Sequence, residues 1–256
     1  MDIMASVASV TSELRGIQGV DTSGVEVADD EQSPPTIAAG SAEEAAKLQE
    51  LEGRLSEMGT MEAWLSFKET TVYKELPLMC LRGRKYDVER AADILPKLIE
   101  LMQEFDVGTG KVDETLSAHL KALTIVSLDA KDDLGRGVLW LRLRNHDPKT
   151  RKKEDLVRQI LTVQLHLLKD ADVQRLGLVI IHDMNGIGLK NLDPGAVKLI
   201  LGRVLPTMPI RLGRVCVINP PWVIGRVRLH LSPHPHPAPE ACCPDLALCV
   251  SHACCR

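Results

Sequence analysis

Residues 176–221 read LGLVIIHDMNGIGLKNLDPGAVKLILGRVLPTMPIRLGRVCVINPP, and their pattern decides the fold. Leu178 to Ile181 is an apolar, β-branched run too short for a free-standing helix, which predicts a strand buried on both faces. Polar and glycine residues from His182 to Asn191 carry turn chemistry. Asp193 stands where an N-cap belongs, with Pro194 at the first helical position. The apolar positions Val197, Ile200, Leu201, Val204, Leu205 and Met208 then predict a helix that Pro209 stops. Arg214 to Ile218 reads as a second buried strand, ended by Asn219, Pro220 and Pro221. Strand, loop, helix and strand in that order make one right-handed βαβ unit, hence a parallel sheet with helices on its faces.

Upstream, Gly135 to Leu143 alternates as a strand, with Val138, Trp140 and Arg142 on one side and Leu139, Leu141 and Leu143 on the other. A turn at residues 145–148 leads into the basic cluster Lys149, Arg151, Lys152 and Lys153, which reads either as a contact for phosphate headgroups or as a solvated loop. Glu154 to about Asp170 is a helix apolar on more than one stripe, so it is covered on more than one side. Further upstream lie several helical patterns with short connections, a small all-α unit before the α/β part. Ser41 and Glu44 form a capping box for a helix to about Met58. A second helix covers Met61 to about Glu75. Asp87 caps a third, which Pro96 kinks or restarts. Residues 1–40, with the acidic patch Asp29, Asp30, Glu31 and the pair Pro34-Pro35, read as a disordered leader.

Composition narrows the function. The chain has 256 residues, is 45% hydrophobic and 26% charged, and carries a formal net charge of -4, which gives no nucleic-acid footprint. No apolar run approaches the roughly 18 residues of a membrane span. The amino terminus has an early Asp2 and no secretory apolar region, so a cytoplasmic setting is expected.

Three motifs in order carry a family resemblance: LPLMCLRGRKYDVERA (76–91), VQRLGLVIIHDMNGIG (173–188) and PIRLGRVCVINPP (209–221). Over residues 42 to 225 the chain resembles the CRAL-TRIO lipid-binding family. The resemblance implies an α/β fold of CRAL-TRIO type. A helical lead-in (41–110) would precede a partial lipid-binding domain (111–225), whose mostly parallel sheet with flanking helices floors an apolar cavity. A lipid of retinoid, tocopherol or phospholipid class would be the ligand, with transient contact to a membrane surface and room for a protein partner. Family members continue past the last strand into a lid helix. Here residues 226–256 pile up Pro, His and Cys without period, which predicts a domain truncated before the lid and an unstructured tail. A zinc site at Cys242, Cys243, Cys249, His252, Cys254 and Cys255 fits poorly, because adjacent cysteines replace spaced pairs.

The cavity that the resemblance implies picks Val157, Ile160 and Gln164 on the first helix, Leu178 and His182 on one face of the central strand, and Ile200, Val204 and Met208 on the next helix. The same periodicity also serves an ordinary core. Enzymatic readings fail on the residues. The turn 185–188 lacks a full G-x-G-x-x-G, and Asp193 behind it would repel a phosphate. His182 and Asp183 are strand neighbours pointing to opposite faces, so they make no acid–base pair. The expectation is a lipid carrier or sensor without catalysis, cofactor or metal. The alternative is a truncated form that serves only as a protein-interaction or regulatory fragment.

Overall fold

A computed structural model describes residues 37–219 together with two isolated two-residue strands, Val25–Glu26 and Ala247–Leu248. The expected disorder of the leader and tail, the zinc reading and the missing lid otherwise lie outside the described residues. Both short strands run antiparallel along the outer edge of the last main strand.

The lead-in begins with α1 (Ala42–Glu57), capped by the Ser41 hydroxyl, which accepts from the Glu44 N–H. The capping box is incomplete: the Glu44 carboxylate takes the N–H of Gly40 and turns inward. The second predicted helix is shorter than expected, α2 (Met61–Thr70), and a separate α3 (Leu76–Gly83) follows with Pro77 in its first turn. Asp87 caps α4 (Val88–Glu104) by accepting from Arg90 N–H, and this helix continues through Pro96 without restarting. A short α5 (Glu114–Lys121), not anticipated from the sequence, closes the lead-in.

The sheet has four main strands: β1 (Ile125–Lys131), β2 (Gly137–Leu141), β3 (Leu178–Asp183) and β4 (Leu212–Ile218). β1 pairs antiparallel with β2 across a bulge, while β2–β3 and β3–β4 are parallel, so the sheet is mixed and mostly parallel as expected. The crossover between β2 and β3 is α6 (Lys153–Leu167) with α7 (Ala171–Leu176). The crossover between β3 and β4 is α8 (Pro194–Leu199), a π-helical stretch Ile200–Val204, and α9 (Leu205–Thr207).

The predicted alternation sorts side chains to two faces. Ile125, Leu139 and Leu178 face the helices and join one core with the lead-in residues Leu51, Leu81, Leu95 and Met102. The lead-in is therefore packed into the same core as the sheet and does not form a separate unit. Val126, Leu128, Val138, Trp140, Val179 and Cys216 gather on the opposite face, where the Arg142 guanidinium lies 4.7 Å from the Trp140 ring centre. Gly177 shows how closely the strands are laid: its φ of +92° is a left-handed conformation, and a β-carbon there would sit 2.5 Å from the Arg211 carbonyl oxygen.

One buried polar network ties the lead-in to the sheet. Arg82 donates from Nε and Nη2 to the two Glu44 oxygens at 2.7 and 2.8 Å. Tyr86 O–H donates to Glu44 at 2.6 Å, and Arg82 Nη1 donates to Gln174 of α7 at 2.8 Å. The Arg82 guanidinium, aided by Tyr86 and the Gly40 N–H, holds the Glu44 carboxyl down at about 2 against the cost of burial. Removing one partner of such a pair strands the other charge. Glu44→Ala is expected to lose about 3–5 kcal/mol in chemical denaturation, and a loss below about 1 kcal/mol would show the pair to be ornamental. Because its folded pKa is depressed, Glu44 stabilises fully above its ordinary 4.5 and loses that contribution as pH falls through about 2.

Candidate functional site

The eight residues picked from the sequence come together in part. Val157, Ile160, Leu178, Val204 and Met208 are buried in the helix-facing core, and Ile200 packs on it half-buried. Gln164 is buried in α6, while His182 is half-buried at the carboxyl end of β3. Leu178 and His182 share a face of β3, four residues apart. Because α6 returns antiparallel to β2, Val157 lies toward the carboxyl ends of the strands and Gln164 toward their amino ends. The set thus runs along the sheet and does not ring one point.

None of the three described cavities is lined by any of these eight residues. The largest of them, about 590 Å³, lies between α4 and α9, against Arg84, Ile94 and Pro206. The two others, about 360 and 160 Å³, border β1 and the end of α6 and share Ser127, His166 and Lys169.

Two polar atoms break the apolar character of this layer. Gln164 Oε1 and His182 Nε2 are buried and have no hydrogen-bond partner among the described residues. A buried carbonyl oxygen left alone costs about 1–3 kcal/mol, so each marks a place where something polar fits. Burial pushes the His182 imidazole below its ordinary 6.5, with the Asp183 charge opposing.

Asp183, on the other face, is satisfied. It accepts from Arg144 Nη1 at 3.1 Å, from Asn219 Nδ2 at 2.9 Å and from Asn185 N–H at 3.0 Å, which locks the carboxyl ends of β3 and β4 to the loop between them. Of the basic cluster, Arg151 is buried: its guanidinium reaches Thr124, Gln159 and the His119 carbonyl. It is a structural residue, and only Lys149, Lys152 and Lys153 stand exposed.

The helix of residues 194–207 departs from the sequence reading. Asp193 caps it as expected, accepting from Ala196 N–H at 2.9 Å. Its apolar positions divide, however: Val204 and Met208 are fully buried, whereas Val197, Leu201 and Leu205 face water. The π turn falls over Ile200–Val204, contains Gly202 and lies between Gly195 and Pro206. Such turns interrupt a helix's regular hydrogen-bond ladder and recur at functional sites. This element was invisible to a simple periodicity.

Comparison with known proteins fits this geometry. Residues 122–227 match the model of the CRAL/TRIO domain, and this span holds β1 to β4 with both crossovers. Over this stretch the chain is similar to the CRAL/TRIO domain. CRAL/TRIO domains bind lipid. The chain is 29% identical to clavesin-1 of Rattus norvegicus over 109 residues, 41% of this chain and 31% of that one. It is 27% identical to tyrosine-protein phosphatase non-receptor type 9 of Homo sapiens over 143 residues, 55% of this chain and 24% of that one. These matches thus span less than a third of either relative. The crystal structure of Sfh5 superposes with a TM-score of 0.50 over 76% of each chain at 15% identity, which speaks for the fold alone.

A histidine whose charged form is penalised by burial titrates low. Nuclear magnetic resonance titration is expected to give His182 a pKa below 6.5, and a value at or above it would remove the ring from the buried layer. The unfolded chain then takes up this proton first, so the folding stability that depends on neutral His182 is present above 6.5 and falls as pH drops below it.

Proposed function

We propose that the chain binds one hydrophobic lipid between α6, the helix-facing side of β3 and the 194–207 helix, and carries or senses it without catalysis. The observation that supports this most is the pair of unpartnered atoms, Gln164 Oε1 and His182 Nε2, within an otherwise apolar layer. A site for a lipid needs such a combination: an apolar wall to take the tail, at about 0.8 kcal/mol per buried CH2, and a few polar atoms to orient it. Since none of the described cavities reaches these eight residues, lipid enters when the 194–207 helix swings outward. The π turn gives that helix a soft point, and Gly202 has open space around the position of a β-carbon. A retinoid, tocopherol or phospholipid satisfies the same wall. The setting is cytoplasmic, with visits to a membrane to load and unload; among the described residues no helix is long and apolar enough to cross one.

Purified from cells and extracted, the chain is expected to yield lipid by mass spectrometry in stoichiometric amount. Absence of lipid would sink the carrier reading and favour the interaction fragment. Ile200→Trp with Val204→Trp fills the layer and is expected to abolish lipid uptake while helical content persists, at an overpacking cost of about 1–3 kcal/mol. Unchanged uptake would take those two residues out of the site.

A further inference from the structure

His146 is the one buried imidazole among the described residues, at 2% exposure, and neither ring nitrogen has a hydrogen-bond partner there. The Asp193 carboxylate comes within 3.8 Å of Nε2, outside hydrogen-bond reach. Its other oxygen is spent on the Ala196 N–H as the cap of the 194–207 helix. Buried polar atoms are normally paired, so a ring with two empty nitrogens calls for a reason.

The residue lies in the clasp that holds the start of that helix. The buried Asn191 side chain donates to the Arg144 and His146 carbonyls at 3.1 and 2.7 Å, which pins the turn Leu189–Asn191 to the loop after β2. A β-carbon on Gly195 would meet Lys153 Cδ at 3.5 Å, so the start of the helix lies beside the same stretch. The charges that act on the ring are Arg151, which repels a proton, and Asp193 and Asp147, which favour one. Arg151 cannot withdraw, because it is buried and bonded to Thr124, to Gln159 of α6 and to the His119 carbonyl of α5. Arg144, in the loop itself, is tied to Asp183. Burial first, and Arg151 second, lower the imidazole below its ordinary 6.5, with the two carboxylates opposing.

We infer that this clasp is an acid-operated latch: a proton on His146 parts the Leu189–Asn191 turn from the loop and frees the start of the 194–207 helix. An imidazolium carries two N–H donors and a charge. The closed clasp offers it one carboxylate oxygen, not yet in reach, beside a fixed guanidinium. Water satisfies the charged ring far better, so the opened clasp binds the proton more readily than the closed one. With the closed-state value below 6.5, the clasp is firmest above 6.5 and weakens as pH falls below it, by at most about tenfold per pH unit for one proton. Faster exit of lipid in acid follows only if the lipid-carrier reading holds, and for that consequence alone the latch rests on it.

Hydrogen–deuterium exchange of the full chain at pH 7.5 and 5.5, corrected for intrinsic amide exchange, tests the latch without any ligand. Residues 188–199 are expected to lose several-fold, up to about tenfold, of their protection at the lower pH, while α4 keeps its own. His146→Gln, which takes up no proton, should show the same protection of this segment at both pH values. His119→Gln and His166→Gln should respond like the parent. Nuclear magnetic resonance titration of the parent supplies a check that needs no variant: His146 should titrate below 6.5. A value at or above 6.5 would mean that a proton holds the clasp shut, and would overturn the latch. So would parent protection that does not change with pH, or a loss that persists in His146→Gln. Lipid that copurifies with the chain, followed by mass spectrometry as it passes to phosphatidylcholine vesicles, should leave several-fold faster at pH 5.5. An acid-opened clasp with no such lipid, or with an unchanged exit rate, would count against the carrier reading alone.

Discussion

Glu44 is a carboxylate taken almost wholly out of water, and the molecule is arranged so that it never stands alone. Its two oxygens receive the Arg82 guanidinium, the Tyr86 hydroxyl and the Gly40 N–H. To bring the Tyr86 ring to it, the chain after α3 passes through two left-handed residues, Lys85 and Tyr86, at φ 55° and 63°. That conformation costs side-chain-bearing residues about 1–2 kcal/mol each. Arg82 extends the network through Gln174 to the Leu168 carbonyl, so α1, α3, the end of α6 and α7 become one body. A buried charge pair is weak evidence of net stability but a strict demand on geometry, since any slip strands a charge. The lead-in serves the sheet by fixing where α6 and α7 sit.

Against that body, the 194–207 helix is the least regular element of the crossover between β3 and β4. It is held at its end by Arg84, which donates to the Pro206 and Met208 carbonyls, and at its start by the Asp193 cap. Between them lies the π turn, with apolar residues inside and out. In the proposed carrier, a rigid frame would keep the shape of the site and a yielding cover would give lipid a way in.

Much of the frame could be read from the sequence, because its signals are local. Asp87, Asp193 and Ser41 announce helix starts by side-chain chemistry, and Val138, Leu139 and Trp140 take the faces that their alternation assigns. The rest depends on distant partners. β1 shows only a short apolar run before the polar Asp129 to Asp133, and it earns its place by pairing across a bulge with β2. Glu44 and Arg151 look like surface charges until Arg82 and Gln159 meet them from other elements. In the site, the buried and exposed apolar residues of the 194–207 helix share one sequence pattern, and only packing separates Val204 from Leu201.

Hydrogen–deuterium exchange of the full chain, with and without a captured lipid, bears most directly on this division between frame and cover. Without lipid, amides of residues 199–207 should exchange far faster than those of α4 and α6, and lipid should slow them while leaving α4 unchanged. Equal protection of the 194–207 helix and α6 without lipid, unaltered by its presence, would contradict a mobile cover over a lipid site.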